Sequence, residues 1–141
     1  MSKIRLGAED IQSINLFEKL TGAKARDIVH EGDTICFLVN KEDMGLAIGK
    51  KGCNIEKAKT AFGKNIYVIE YAEDLSTLAK NIFYPAEIRN VRLSGDGKTI
   101  TITSFRKHRR TIIGPGGERI KLARKLTDRY FGAGDINIDA P

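Results

Sequence analysis

The chain has 141 residues but only two cysteines and two histidines, and it lacks any long apolar run. Cys36 and Cys53 are too few for a disulfide framework and are not spaced C-x-x-C. Both are expected as reduced thiols, Cys36 packed in a strand and Cys53 forming a small start to a helix. His30 and His108 stand in no H-E-x-x-H or H-x-E pattern, so no motif for a catalytic metal or a histidine base is present, and both are expected on the surface. No segment approaches the ~20 apolar residues that span a bilayer. Met1-Ser2-Lys3-Ile4-Arg5-Leu6-Gly7 lacks the apolar stretch and small-residue cleavage site of a secretory signal. The expectation is a monomeric cytoplasmic protein with no membrane partner, no cofactor and no metal.

Apolar residues make up 41% of the chain, enough to bury the core of one ordinary domain or two very small ones. Lys and Arg number 24 against 18 Asp and Glu, and the net charge of +6 favours a polyanionic partner.

An internal repeat organises the sequence. Gly49-Lys50-Lys51-Gly52 is matched by Gly114-Pro115-Gly116-Gly117 at an offset of 65 residues. The same offset carries Ala47-Ile48-Gly49 onto Ile112-Ile113-Gly114, Gly32-Asp33-Thr34 onto Gly97-Lys98-Thr99, and Ile55 and Ala58 onto Ile120 and Ala123. Two domains follow, 1–72 and 73–141. The join, Ala72-Glu73-Asp74, is too short and too poor in Gly, Ser and Pro for a flexible tether, so a fixed angle between them is expected.

Periodicity gives the order of elements within each block. Asp10 to Leu20 reads as an opening helix stopped by Thr21-Gly22. Ile28-Val29-His30 and Thr34 to Val39 read as a hairpin about Glu31-Gly32-Asp33. Asn40, capping through its side chain onto the amide of Asp43, opens a short helix from Lys41 to Ile48. A second helix after Gly52 carries an apolar stripe of Ile55, Ala58, Ala61 and Phe62, Gly63 ends it, and Ile66 to Ile69 form a strand. The second block repeats this order with a helix over Leu75 to Phe83, strands over Ile88 to Leu93 and Thr99 to Thr103, and a helix with a stripe of Ile120, Ala123, Leu126 and Tyr130 ending at Gly132. Ile136-Asn137-Ile138 closes it. The four tyrosines, Tyr67, Tyr71, Tyr84 and Tyr130, are expected to pack in the cores.

A G-x-x-G turn between two helices exposes backbone N–H groups at the second helix's N-terminus, and glycine's missing Cβ admits a sugar-phosphate chain. Lys50 and Lys51 add charge where the helix dipole already favours an anion. Bases would lie over an apolar groove formed by residues such as Ile48, Ile55, Ile66 and Val68. One G-x-x-G alone is better explained by an ordinary helix-helix turn. Two copies, each with Ile before the first glycine, a hairpin upstream and an amphipathic helix downstream, favour nucleic-acid contact.

These features resemble KH modules of type II, in which a helix and strand precede a β-α-α-β core with G-x-x-G between its central helices. The resemblance implies an α+β protein of two tandem type II KH domains, each α-β-β-α-α-β with a three-stranded sheet packed on helices. Asp43-Met44-Gly45-Leu46-Ala47-Ile48-Gly49-Lys50-Lys51-Gly52, with Ser13-Ile14-Asn15-Leu16-Phe17-Glu18 upstream and Asn81-Ile82-Phe83-Tyr84-Pro85-Ala86 downstream, resembles the archaeal NusA-like transcription factors. That resemblance implies single-stranded RNA binding in transcription termination or antitermination, with RNA polymerase and other transcription factors as partners. Bacterial members carry an added N-terminal domain and an S1 module; two KH modules without either are expected here.

The expected RNA contacts are Ile48, Gly49, Lys50, Lys51 and Gly52 in the first module, and Arg109, Arg110, Ile113, Gly114, Pro115, Gly116, Gly117 and Arg119 in the second. Pro115 has no N–H and no charge, so the second phosphate site is expected to be weaker, with Gly116 and Gly117 loosening the turn. Flanking charge compensates: residues 104–129 hold nine Lys and Arg against two acidic residues, whereas residues 1–72 hold 11 against 10. Lys121, Arg124 and Lys125 fit a solvated helix face equally well.

A phosphate-binding P-loop is the rival. Gly45 to Gly49 is one residue short and runs into Lys50-Lys51, with no magnesium-binding hydroxyl, and Gly97-Lys98-Thr99 leads into a strand. No ATPase is expected, and Cys53 has no identifiable base to make it a nucleophile. The remaining alternatives are a ribosome- or RNA-processing-associated KH protein without a transcription role, and a duplex-DNA binder using the helix from Glu118 to Tyr130.

Overall fold

A computed structural model describes residues 6–141; Met1–Arg5, part of the stretch without a secretory signal, lie outside the described residues. The chain divides into two compact units, one running to Tyr71 and the other starting at Ala72. The first comprises α1 (Ala8–Thr21), β1 (Ala25–Glu31), β2 (Thr34–Val39), α2 (Met44–Ile48), α3 (Cys53–Phe62) and β3 (Asn65–Glu70). The second comprises α4 (Leu75–Phe83), β4 (Ile88–Leu93), β5 (Thr99–Ser104), α5 (Arg109–Ile113), α6 (Glu118–Phe131) and β6 (Asp135–Asp139). Both have the expected α-β-β-α-α-β order, with a three-residue 3-10 turn before each of α2, α3, α5 and α6.

In each unit the first two strands form an antiparallel hairpin and the third joins the middle strand in parallel, giving the orders β1-β2-β3 and β4-β5-β6. A parallel return requires a crossover, which the two central helices supply. Within the first unit Phe37 of β2 sits opposite Ile28 and Val68. It stacks on Phe17 of α1 at 4.0 Å between ring centroids and meets Phe62 of α3 at 5.6 Å, so one aromatic side chain ties the sheet to two helices. In the second unit Ile100 and Ile102 point into a core with Leu78, Ile82, Phe83, Ile112, Leu122 and Leu126, all essentially without solvent contact.

Helix ends follow local chemistry. Gly22, Gly63 and Gly132 close α1, α3 and α6 in the left-handed region, each amide returning to a carbonyl of the last turn. Asp74 caps α4 by accepting from the amide of Thr77 at 2.9 Å. The carboxylate of Asp10, in the first turn of α1, lies 3.0 Å from Nε2 of His30 on β1, so that histidine ties a helix to the sheet rather than standing alone on the surface.

Four expectations of local structure are corrected. Asn40 makes no side-chain cap: its backbone carbonyl accepts from Asp43, while its side chain accepts from Arg26 and the Asp43 carboxylate accepts from the amide of Lys24. Ala61 is exposed, because the face of α3 that meets the core is centred on Ala58. Ile66 belongs to the buried cluster with Phe17 and Phe37, with Ile55 and Val68 packed against it. Tyr84 is 75% exposed, its backbone ending α4 and its ring outside the core.

Candidate nucleic-acid interface

The two glycine corners have the same backbone. Gly49 and Gly114 both sit at φ 77°, with ψ of 169° and 168°. Lys51 (φ 54°, ψ 29°) corresponds to Gly116 (φ 62°, ψ 14°), and Gly52 (φ 76°, ψ 15°) to Gly117 (φ 73°, ψ 12°). The second turn is therefore not looser than the first: its extra glycine occupies a left-handed position that Lys51 fills at a steric cost. Among the described residues, Lys51 is the sole non-glycine with positive φ. Pro115 takes the first position of its 3-10 turn, where a fixed φ is preorganised.

The first glycine of each corner is required on two grounds. Its φ and ψ lie in a region that is essentially glycine-only. A Cβ on Gly49 would also stand 2.8 Å from the backbone nitrogen of Asn54, and one on Gly114 would stand 2.5 Å from Cβ of Arg119. The chain thus folds tightly against the first turn of α3 and of α6, bringing the tip of each corner to the surface.

Hydrogen bonds within the turns narrow what the tips can offer. In the first corner the amides of Gly49, Gly52 and Cys53 donate to the carbonyls of Gly45, Gly49 and Lys50. In the second those of Gly114, Gly117 and Glu118 donate to Arg110, Gly114 and Pro115. The tip amides are therefore those of Lys50 and Lys51 in the first module, and that of Gly116 alone in the second, because proline has no N–H.

Of the expected contact residues, Lys50, Lys51, Arg109, Arg110, Pro115 and Gly116 are exposed, and Ile48 is 38% exposed beside the first corner. Arg110, Ile113, Gly114 and Pro115 come together to line an open hollow of about 340 Å³ in the second module. Arg119 does not join them. It is buried, and its guanidinium donates to the carbonyls of Ile82 (2.8 Å), Tyr84 and Thr111. The reading of Arg119 as a loop-flanking RNA contact is corrected: it fastens α6 to the end of α4, and its position next to the glycine loop gave no sign that it turns inward. Arg124 likewise reaches inward to the carbonyl of Ile136, while Lys121 and Lys125 remain exposed.

A residue that sequence reasoning missed is Phe105. It directly precedes the 3-10 turn before α5 and is 36% exposed, with Arg89, Lys107 and His108 around its ring. Its signal was an aromatic opening the basic run Arg106 to Arg110. Cys36 is buried in β2 and Cys53 exposed at the start of α3. Among the described residues, no helix is long and apolar enough to cross a membrane.

Comparison with known proteins agrees with this geometry. The family model described as "KH domain" matches residues 13–73. Over 98% of its length the chain is 40% identical to a "Probable transcription termination protein NusA" of Methanococcus vannielii, covering 81% of that protein. A protein of the same name from Methanocaldococcus jannaschii is 35% identical over 92% of this chain and 72% of its own. The solved structure titled "Crystal structure of APE1850" matches with a TM-score of 0.78 at 32% identity, over 94% of this chain and 99% of that one. Carrying a KH domain in its first half and the same element order and corner geometry in its second, the chain belongs to the archaeal NusA-like family of KH proteins.

Proposed function

We propose that this protein binds single-stranded RNA through both KH modules and acts, without catalysis, as a cytoplasmic factor in transcription termination or antitermination. The observation that carries this reading is the pair of exposed corners with matching dihedral angles, each ending a short helix and opening a longer one. At such a corner a phosphate can meet tip amides and the positive end of the helix dipole together. The first module adds two lysines at the tip, and the second adds Arg109 and Arg110 on the helix leading into it.

The contacts are Ile48, Gly49, Lys50, Lys51 and Gly52, with Arg109, Arg110, Ile113, Gly114, Pro115, Gly116 and Gly117. The glycines admit the backbone, the cations hold phosphates, and Ile48 and Ile113 offer apolar surface to the bases. The relatives' names place them in transcription termination, which supports RNA polymerase or its accessory factors as further partners.

Fluorescence anisotropy with labelled oligonucleotides tests this reading. Single-stranded RNA is expected to bind more tightly than duplex DNA of equal length, because the corners admit one backbone and require unstacked bases. Lys50→Asp with Lys51→Asp is expected to weaken RNA binding at least tenfold and to reduce the steepness of its salt dependence, since each phosphate contact adds roughly 0.7 to the log-log slope for a single strand. Equal affinity for duplex DNA, or an unchanged affinity in the double variant, would overturn the assignment.

A further inference from the structure

The two modules distribute their positive charge differently. At the tip, Lys50 and Lys51 of the first correspond to Pro115 and Gly116 of the second. On the approach to the tip the pattern reverses: Asn40, Lys41, Met44 and Gly45 of the first correspond to Phe105, Arg106, Arg109 and Arg110 of the second. Arg106, Arg109 or Arg110, and Ile113 are spaced three to four residues apart, which places them along one side of the helical segment. All three arginines are exposed, whereas Ile112 is buried and Ile113 half-buried. This cationic stripe starts at Phe105 and ends in the hollow formed by Arg110, Ile113, Gly114 and Pro115.

Phe105 is no ordinary surface aromatic. The Arg89 guanidinium stands 5.2 Å and the Lys107 ammonium 5.8 Å from its ring centroid, and the His108 ring meets it edge-on at 6.2 Å. Cations at these distances are attracted to the ring, yet the residue remains 36% exposed. A half-open aromatic ring surrounded by cations matches a nucleotide in both its parts, a flat base to stack and a phosphate to neutralise. By ideal rise, the 3-10 turn and α5 together span roughly 14 Å of backbone between Phe105 and the glycine corner.

We infer that Phe105 is a base-stacking platform, flanked by Arg89 and Lys107 as phosphate contacts, which extends the RNA track of the second module away from its glycine corner along the arginine stripe of α5. This inference rests on the proposed RNA-binding function and adds a site to it. Through it the second module gains from its helix what Pro115 removes from its loop.

Because the chain has no tryptophan, Phe105→Trp creates a single fluorescent reporter at the platform. Titrated with oligouridylate RNA, the variant is expected to show emission quenched in step with RNA binding. Phe105→Ala is expected to weaken RNA binding by roughly 5- to 150-fold, the range that loss of one base-aromatic stack gives, with its melting temperature recorded to show that it folds. Lys50→Asp with Lys51→Asp is the reference. If that variant loses RNA binding while Phe105→Ala binds normally and the tryptophan emission does not respond, the platform is refuted and the RNA-binding reading stands. If neither variant affects binding, the RNA-binding reading itself fails. A tryptophan that responds to polyglutamate but not to RNA overturns the platform in favour of an acidic protein partner.

Discussion

Asn54 and Arg119 occupy the same position of the repeat, 65 residues apart, and make the same kind of tie with different chemistry. The Asn54 amide donates to the carbonyls of Leu46 (2.7 Å) and Thr21 (3.3 Å), joining α3 to α2 and α1. The Arg119 guanidinium donates to Thr111, the counterpart of Leu46, and to Ile82 and Tyr84 at the end of α4. Each tie holds the helix that opens beyond the glycine corner, so the corner's geometry depends on a side chain facing away from the proposed ligand.

Arg119→Ala is therefore expected to destabilise the second module by about 2–4 kcal/mol, since it leaves buried carbonyls without donors and removes packed methylenes. Arg119→Lys recovers little, because a point charge cannot reproduce the guanidinium fork. Asn54→Ala costs about 1–2 kcal/mol by the same logic with fewer bonds. Urea unfolding measures all three. At temperatures where the variants are folded, the salt dependence of RNA binding is expected to match wild type; a shallower slope for Arg119→Ala would restore that residue to the phosphate contacts.

Gly49→Ala and Gly114→Ala are each expected to cost about 2–5 kcal/mol, combining a glycine-only backbone conformation with an overpacked contact against Asn54 or Arg119. Gly116→Ala, at a position where an added Cβ meets nothing within 4 Å, is expected to cost no more than about 1–2 kcal/mol. Thermal unfolding ranks the three, and equal losses would contradict the distinction between the positions.

Lys51 and Gly116 share a left-handed conformation, so exchanging their identities separates charge from strain. Lys51→Gly is expected to weaken RNA binding while leaving stability unchanged or raising it by up to about 1 kcal/mol. Gly116→Lys is expected to tighten RNA binding at a cost of about 1 kcal/mol or slightly more. Paired anisotropy and melting measurements on the two variants check both signs; a Gly116→Lys variant with no gain in affinity would count against the second corner as a phosphate site.

Asp74 gives the second module a small dependence on acid. The Thr77 side chain, and then its backbone amide, hold the carboxyl below its ordinary value of 3.8. A carboxylate depressed by folding contributes stability that is present above the unfolded value and disappears as pH falls through the lower folded one. Its contribution is therefore complete at pH 5 and above, and fades below about pH 4. Solvent screening keeps the effect small at so exposed a site. Asp74→Asn retains a capping side chain but loses this acid dependence, whereas Asp74→Ala lowers the melting temperature at neutral pH as well. Melting curves from pH 2 to 7 distinguish the three proteins.

Much of the architecture was legible in the residue order alone. The repeat, the α-β-β-α-α-β order and the stops at Gly63 and Gly132 follow from periodicity and from glycine's freedom at positive φ, which act over a few neighbouring residues. Asn40 shows where local rules fail: it has the chemistry of a helix cap, yet Arg26 on the adjacent strand engages its side chain instead.

By itself the sequence determined that one unit is used twice and that each copy ends a short helix in a glycine corner, because these are properties of local backbone sterics and spacing. Only the tertiary structure decided which side chains near the corners turn inward or outward. Arg119 is consumed by carbonyls some 35 residues earlier in the chain, Ile66 is sealed against Phe17 and Phe37, and Tyr84 and Phe105 are left in solvent. Those outcomes depend on which distant element lies against each residue, and residue type does not encode that.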